Sequence, residues 1–169
     1  MHEGHAPTLH RCAGRCPPRG LARLGEALRR TVWGEPVTDV PASCQTFLAF
    51  DYGLKRTGVA SGNRLTRTAT PQATIAAEGD ARFVKVAERI REWQPDAIVV
   101  GVPFHPDGAA HENTARAQKF ARQLRGRHGL PVFEVDERFS TTEAHALGAK
   151  DADAASACII LEQFLRSLT

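Results

Sequence analysis

The sequence predicts one α/β domain with a five-stranded mixed sheet: a three-strand antiparallel meander, then two parallel strands, flanked by helices. Three observations carry this. Short β-type runs joined by tight turns crowd residues 46–70, two later apolar runs alternate with segments of helical period, and the chain of 169 residues has room for about one domain.

The elements follow in order. Thr46–Phe50 (TFLAF) is a short apolar strand ending in Asp51, with Tyr52-Gly53 and the basic pair Lys55-Arg56 as the turn after it. Thr57–Ser61 (TGVAS) reads as the second strand, Gly62-Asn63 as a turn and Arg64–Thr70 (RLTRTAT) as the third. Phe83, Val86, Ala87, Ile90 and Trp93 then recur at helical spacing, with Asp80 as N-cap and Pro95 as the stop. Asp96–Val102 (DAIVVGV) is the continuous apolar run of a strand buried on both faces. A helix from about Glu112 to Arg127 presents Ala117, Phe120, Ala121 and Leu124 and stops at Gly129. Pro131–Asp136 (PVFEVD) is the fifth strand, and Ser140 with Glu143 makes a capping box for a short helix. The last helix, from about Asp153 to Ser167, turns Ala157, Ile160, Leu161, Phe164 and Leu168 to the core. This element order is that of a ribonuclease H-like domain.

Residues 1–45 are expected to form a poorly ordered extension ahead of the ribonuclease H-like domain at 46–169. They carry His2, His5, His10, Cys12 and Cys16 without strand or helix period, then a short pattern at Leu21, Leu24, Ala27 and Leu28 broken by Gly34, Pro36 and Pro41. An over-long reading frame, with translation starting near Val40, fits the same composition. The Cys12-x3-Cys16 pair lacks the second pair of a structural zinc site.

Several function classes drop out. No apolar run approaches the roughly 18 residues of a membrane span, and no apolar segment follows the N-terminal arginines as a secretory signal requires. Four cysteines without regular spacing point to a reducing cytoplasm. A net charge of +3 is modest for a nucleic-acid binder, so any such binding must be local. No P-loop or dinucleotide fingerprint occurs, and the two-domain actin-like kinases need more chain than this.

The chemistry gathers at element ends: Asp51 after the first strand, Asp136-Glu137 after the fifth, Asp153 at the start of the last helix. Carboxylates at such positions suit Mg²⁺ or Mn²⁺, hard cations that take oxygen ligands. In two-metal phosphodiester hydrolysis one ion activates the attacking water and the other stabilises the leaving oxygen. Taken singly, Asp153 also reads as an N-cap and Asp136 as a solvated turn residue. Asp51 resists a structural reading, because an acid buried there without partners would be costly.

Four blocks, FLAFDYGLKRTGVASG (47–62), IVVGVPFHPDG (98–108), VDERFSTTEA (135–144) and DAASACIILEQFL (153–165), resemble in order the signature blocks of the YqgF/RuvX family. These are bacterial ribonuclease H-like proteins described as Holliday junction resolvases and as pre-rRNA processing nucleases. The resemblance implies a hydrolase acting on phosphodiester bonds, with Asp51, Glu137 and Asp153 as catalytic metal ligands and Asp136 as an alternate for Glu137. It implies that Arg138 contacts a phosphate, and Lys55 and Arg56 are placed to hold a nucleic-acid backbone. Gly101 stands where many ribonuclease H-like enzymes have a carboxylate, so Glu137 is expected to reach in from the next strand.

Two departures bear on the site. Eleven positions separate Thr142 from Asp153, fewer than is usual in the family, and Asp151 adds an acid that could compete as ligand. The expected substrate is structured RNA, at the 5′ end of the small-subunit rRNA precursor. The alternatives are a four-way DNA junction, cut by a homodimer rather than a monomer, and a non-catalytic RNA-binding assembly role. His105 and His111 flank an Asp-Gly loop as secondary candidates, and Cys158 reads as a buried hydrophobe.

Overall fold

The computed structural model describes residues 40–103, 112–136 and 151–168. Its strands are β1 (Thr46–Tyr52), β2 (Thr57–Asn63), β3 (Thr68–Ile75), β4 (Ala97–Val102) and β5 (Val132–Asp136). The helices among the described residues are α1 (Gly79–Trp93), α2 (Glu112–His128) and α3 (Ala152–Ser167). The sheet order is β3-β2-β1-β4-β5. β1 pairs antiparallel with β2 and β2 with β3, while β4 runs parallel to β1 and β5 parallel to β4. This is the ribonuclease H-like arrangement that the element order predicts.

Strand alternation divides the core in two. Phe47 and Ala49 of β1, Ala60 of β2 and Ala97 and Val99 of β4 pack against Ala157, Ile160, Leu161 and Phe164 of α3. Leu48 and Phe50, Val59, and Ile98 and Val100 face the other way, onto Phe83 and Val86 of α1 and Phe120 and Leu124 of α2. The rings of Phe50, Tyr52 and Phe83 surround that of Phe120, at 5.1–6.1 Å between centroids. Val40 and Cys44, just ahead of β1, are buried on the α3 side. No described helix is long and apolar enough to cross a membrane.

α3 comes close to β2 because β2 offers it almost no side chains. Gly58, Ala60 and Gly62 share its inner face, and a Cβ on Gly62 would stand 2.8 Å from a methyl of Leu161. At the far end of the sheet, the Asp96 carboxylate accepts from the backbone N–H of Gln45 at 2.8 Å and of Thr46 at 2.9 Å. These bonds fix the start of β1 beside the start of β4.

Some boundaries differ from the sequence expectation, each for a local reason. The segment Arg64–Arg67 is the hairpin turn: Asn63 accepts the Leu65 N–H at 2.7 Å, and Arg67 takes a left-handed φ of 53°. β3 therefore begins at Thr68 and continues through Pro71 to Ile75, which the edge position of β3 permits. Asp80 lies in the first turn of α1, and the N-cap is Glu78. Trp93, expected in the core, is 41% exposed at the last turn. Likewise Asp153 lies within the first turn of α3, and Asp151 is the N-cap, accepting from the Ala154 N–H. The predicted capping-box helix at Ser140–Glu143 and most of the extension lie outside the described residues.

Candidate active site

Asp51 continues the Phe47–Ala49 parity of β1, which puts it on the α3 face of the sheet. Its register partners are Gly58 on β2 and Gly101 on β4, and Gly101 is in turn opposite Val135 on β5. Both glycines share the Asp51 face by their own parity, with Ala60 and with Ala97 and Val99. The carboxylate is thus flanked on either side by residues without side chains. At Gly58 the ladder to β3 shifts register, the kind of irregularity that redirects a strand next to a site.

Gly58 also brings in the second acid. A Cβ there would lie 1.9 Å from the carbonyl oxygen of Asp153 and 2.4 Å from its carbon. The first turn of α3 therefore rests on β2 beside the residue that pairs with Asp51. Residues 51 and 153, remote in sequence, meet at one end of one sheet face.

The β1–β2 turn supplies cations to the same place. The Gly53 N–H donates to the Arg56 carbonyl at 2.9 Å, and a Cβ at Gly53 would come within 2.7 Å of that oxygen, so the turn needs glycine. Arg56 donates through Nε to Asp153 Oδ2 at 2.7 Å and approaches Asp151 Oδ1 through Nη2 at 3.5 Å. Burial works to raise the Asp151 carboxyl, but the Thr74 side chain on β3, the backbone N–H groups at the helix start and the Arg56 charge outweigh that and hold it below the ordinary value. Lys55 is exposed on the same turn.

A residue the sequence reading missed anchors this turn. Arg82 of α1 is only 3% exposed. Its Nε donates to the Ala77 carbonyl at 3.0 Å, its Nη2 donates to the Leu54 carbonyl, and its guanidinium lies 4.5 Å from the centre of the Tyr52 ring. The signal was present: Arg82 stands four residues before Val86 and beside Phe83, on the apolar stripe of the helix.

The remaining candidates fall as follows. Asp136, at the end of β5, has the parity of Val132, which faces α1 and α2, so it points away from the Asp51 side. Glu134, of the same parity, has its carboxyl raised by burial, against the lowering charges of Arg125 and Arg122 on α2. Cys158 is half-buried, and burial with the nearby Glu162 pushes its thiol up to about 12, which makes it inert as a nucleophile. Glu137, Arg138, His105 and His111 lie outside the described residues.

Among the described residues no three His, Cys, Asp or Glu side chains form a metal-holding group. Asp51 and Asp153, brought to the same place by Gly58, offer only carboxylate oxygens. That donor chemistry suits a hard divalent cation.

The family model described as "RuvX: Holliday junction resolvase" matches residues 45–167. A protein of Polaromonas sp. named "Putative pre-16S rRNA nuclease" is 78% identical over 132 residues, covering 78% of this chain and 96% of its own length. One of the same name from Albidiferax ferrireducens is 74% identical over 135 residues, covering 80% and 86%. Among solved structures, Thermus thermophilus RuvC in complex with a Holliday junction substrate matches with a TM-score of 0.46 and 16% identity, over 73% of this chain and 94% of that one. The family match spans all five strands and all three described helices, including both converging acids, and the chain belongs to the RuvX family.

Proposed function

We propose that this protein is a divalent-cation-dependent nuclease that hydrolyses phosphodiester bonds in structured RNA, trimming the 5′ end of the small-subunit rRNA precursor. The observation that carries the reading is the convergence of Asp51 and Asp153 at one end of the sheet, with glycine on both sides of Asp51. The names of the 78% and 74% identical relatives supply the substrate.

In this reading Asp51 and Asp153 hold Mg²⁺ or Mn²⁺, with Glu137 as the third ligand. The ion, when bound, supplies Lewis-acid stabilisation of phosphoryl charge and acidifies water. The chain's residues do the placing. Asp51 is held rigidly by a central strand, as such chemistry requires. Lys55 meets a backbone phosphate from the exposed turn, and Arg138 does so from the segment after β5. The second reading, a four-way DNA junction as substrate, is favoured by the description of the matching family model.

One assay tests both. Wild type and Asp51→Asn are given a precursor rRNA fragment and a four-way DNA junction, side by side, in Mg²⁺ and in Mn²⁺. The expected result is RNA cleavage by wild type and a loss of roughly a hundredfold to a thousandfold in the folded variant, on the order of removing a key electrostatic group. Junction cleavage alone, with a dimer by light scattering, selects the second reading. Undiminished cleavage by Asp51→Asn overturns the site.

A further inference from the structure

Arg82 is a buried cation whose hydrogen bonds go to two neutral carbonyls and whose face rests on a ring. Burying a guanidinium is expensive, and carbonyls and a π face compensate it less well than a carboxylate would. What the arrangement achieves is geometric. The planar fork bonds the Leu54 carbonyl and the Ala77 carbonyl together, so the β1–β2 turn is tied to the segment that leads into α1. The Gly53–Arg56 hydrogen bond closes the same turn from within. From there Arg56 reaches Asp153 Oδ2 at 2.7 Å. A continuous set of contacts runs from α1, through the turn, to the first turn of α3.

We propose that Arg82 is a positioning residue: by fixing the β1–β2 turn it holds Arg56 on Asp153, and Arg56 thereby competes with a divalent cation for that carboxylate. The inference rests on Asp51 and Asp153 being the metal ligands. A guanidinium on one oxygen of Asp153 occupies a donor the ion would use and adds a like charge beside it. The pair is half-exposed, so screening limits the effect. Its consequence is a site whose acids stay ordered and neutralised until a cation of sufficient concentration arrives.

Mn²⁺ titration calorimetry on the full chain, well below the melting temperature, tests this. The proteins are wild type, Asp51→Asn, Arg56→Gln, Arg82→Met and the Arg56→Gln/Arg82→Met double variant. Arg56→Gln is expected to bind Mn²⁺ about threefold to tenfold tighter, the order set by one unit charge a few ångströms from the ion in a largely aqueous setting. Arg82→Met shifts the same way by a smaller factor, and the double variant binds no tighter than Arg56→Gln alone, because both act through one contact. A purely structural Arg82 would lower the melting temperature and leave the Mn²⁺ affinity unchanged, which overturns the proposal. So does additive tightening in the double variant. If Arg82→Met does not fold, Arg82→Lys, which keeps the charge but not the fork, takes its place under the same criteria. Absence of Mn²⁺ binding by wild type removes the metal-site reading and this inference with it. Wild-type binding abolished in Asp51→Asn, with no shift in either arginine variant, overturns the inference alone.

Discussion

A methyl group at Gly58 would stand 1.9 Å from the carbonyl oxygen of Asp153, and the atoms it meets are backbone, so they cannot rotate out of the way. The glycine's absent side chain is what allows an acid on a helix to sit beside an acid on a strand. Gly58→Ala must push α3 off β2, and the cost is that of overpacking a tight contact, about 1–3 kcal/mol. The melting temperature falls accordingly. Mn²⁺ binding by the folded fraction falls with it, because Asp153 moves while Asp51 does not. A variant that melts lower yet binds Mn²⁺ like wild type would show that the two acids need not be close.

Within the elements, the same residue type gives the opposite result where nothing opposes it. Gly126 lies inside α2 with no atom within 4 Å of a would-be Cβ, so Gly126→Ala is expected to stabilise by about 0.5–1 kcal/mol. Thermal melting checks this, and no change in Mn²⁺ binding should accompany it. Asp96 ties β1 to β4 by charge as well as shape. The N–H groups of Thr46 and Gln45 hold its carboxyl below the ordinary value. A carboxylate with a lowered folded value stabilises above its unfolded pKa of about 4 and loses that contribution as pH falls through the folded value. Asp96→Asn should therefore cost about 1 kcal/mol near neutrality, a figure reduced for its exposure, and the gap to wild type should narrow as pH falls below the ordinary carboxylate range. Paired melts at pH 7 and pH 3 measure it. These elements also show what the sequence could disclose. Periodicity found α2 nearly to the residue, because its stripe of Ala117, Phe120, Ala121 and Leu124 is unbroken. It misplaced β3, because Pro71 looks like a terminator unless the strand is known to be at an edge. It could not rank Asp151 against Asp153, because two acids two residues apart at a helix start both satisfy capping rules. Arg82 went unread because a charged residue on an apolar stripe is normally discounted, and its partners, Leu54 and Ala77, are backbone groups without any sequence signature.

For the whole molecule, the question is which surface meets nucleic acid. The sheet separates two faces, with α3 on one and α1 and α2 on the other. Asp51 and Asp153 open on the α3 side, where β1 and β4 end together. Positive charge is not confined to that side: α2 carries Lys119 and Arg122 on its exposed surface, across the sheet from the acids. Net charge and cation counts could not distinguish these sets, but the fold does. A phosphate positioned for attack near Asp51 lies within reach of the turn that carries Lys55, and the thickness of the sheet and a helix separates it from Lys119. Each cation that neutralises a phosphate adds about 0.7–0.9 to the slope of log affinity against log salt. Lys55→Ala should therefore weaken RNA binding and flatten that slope by about this amount, whereas Lys119→Ala should leave both within error. Binding titrations at three or four salt concentrations in an Asp51→Asn background measure the slopes. Equal flattening by both substitutions would mean that the nucleic acid wraps onto the α2 face, and a site confined to the α3 side of the sheet would then be too small a description of the interface.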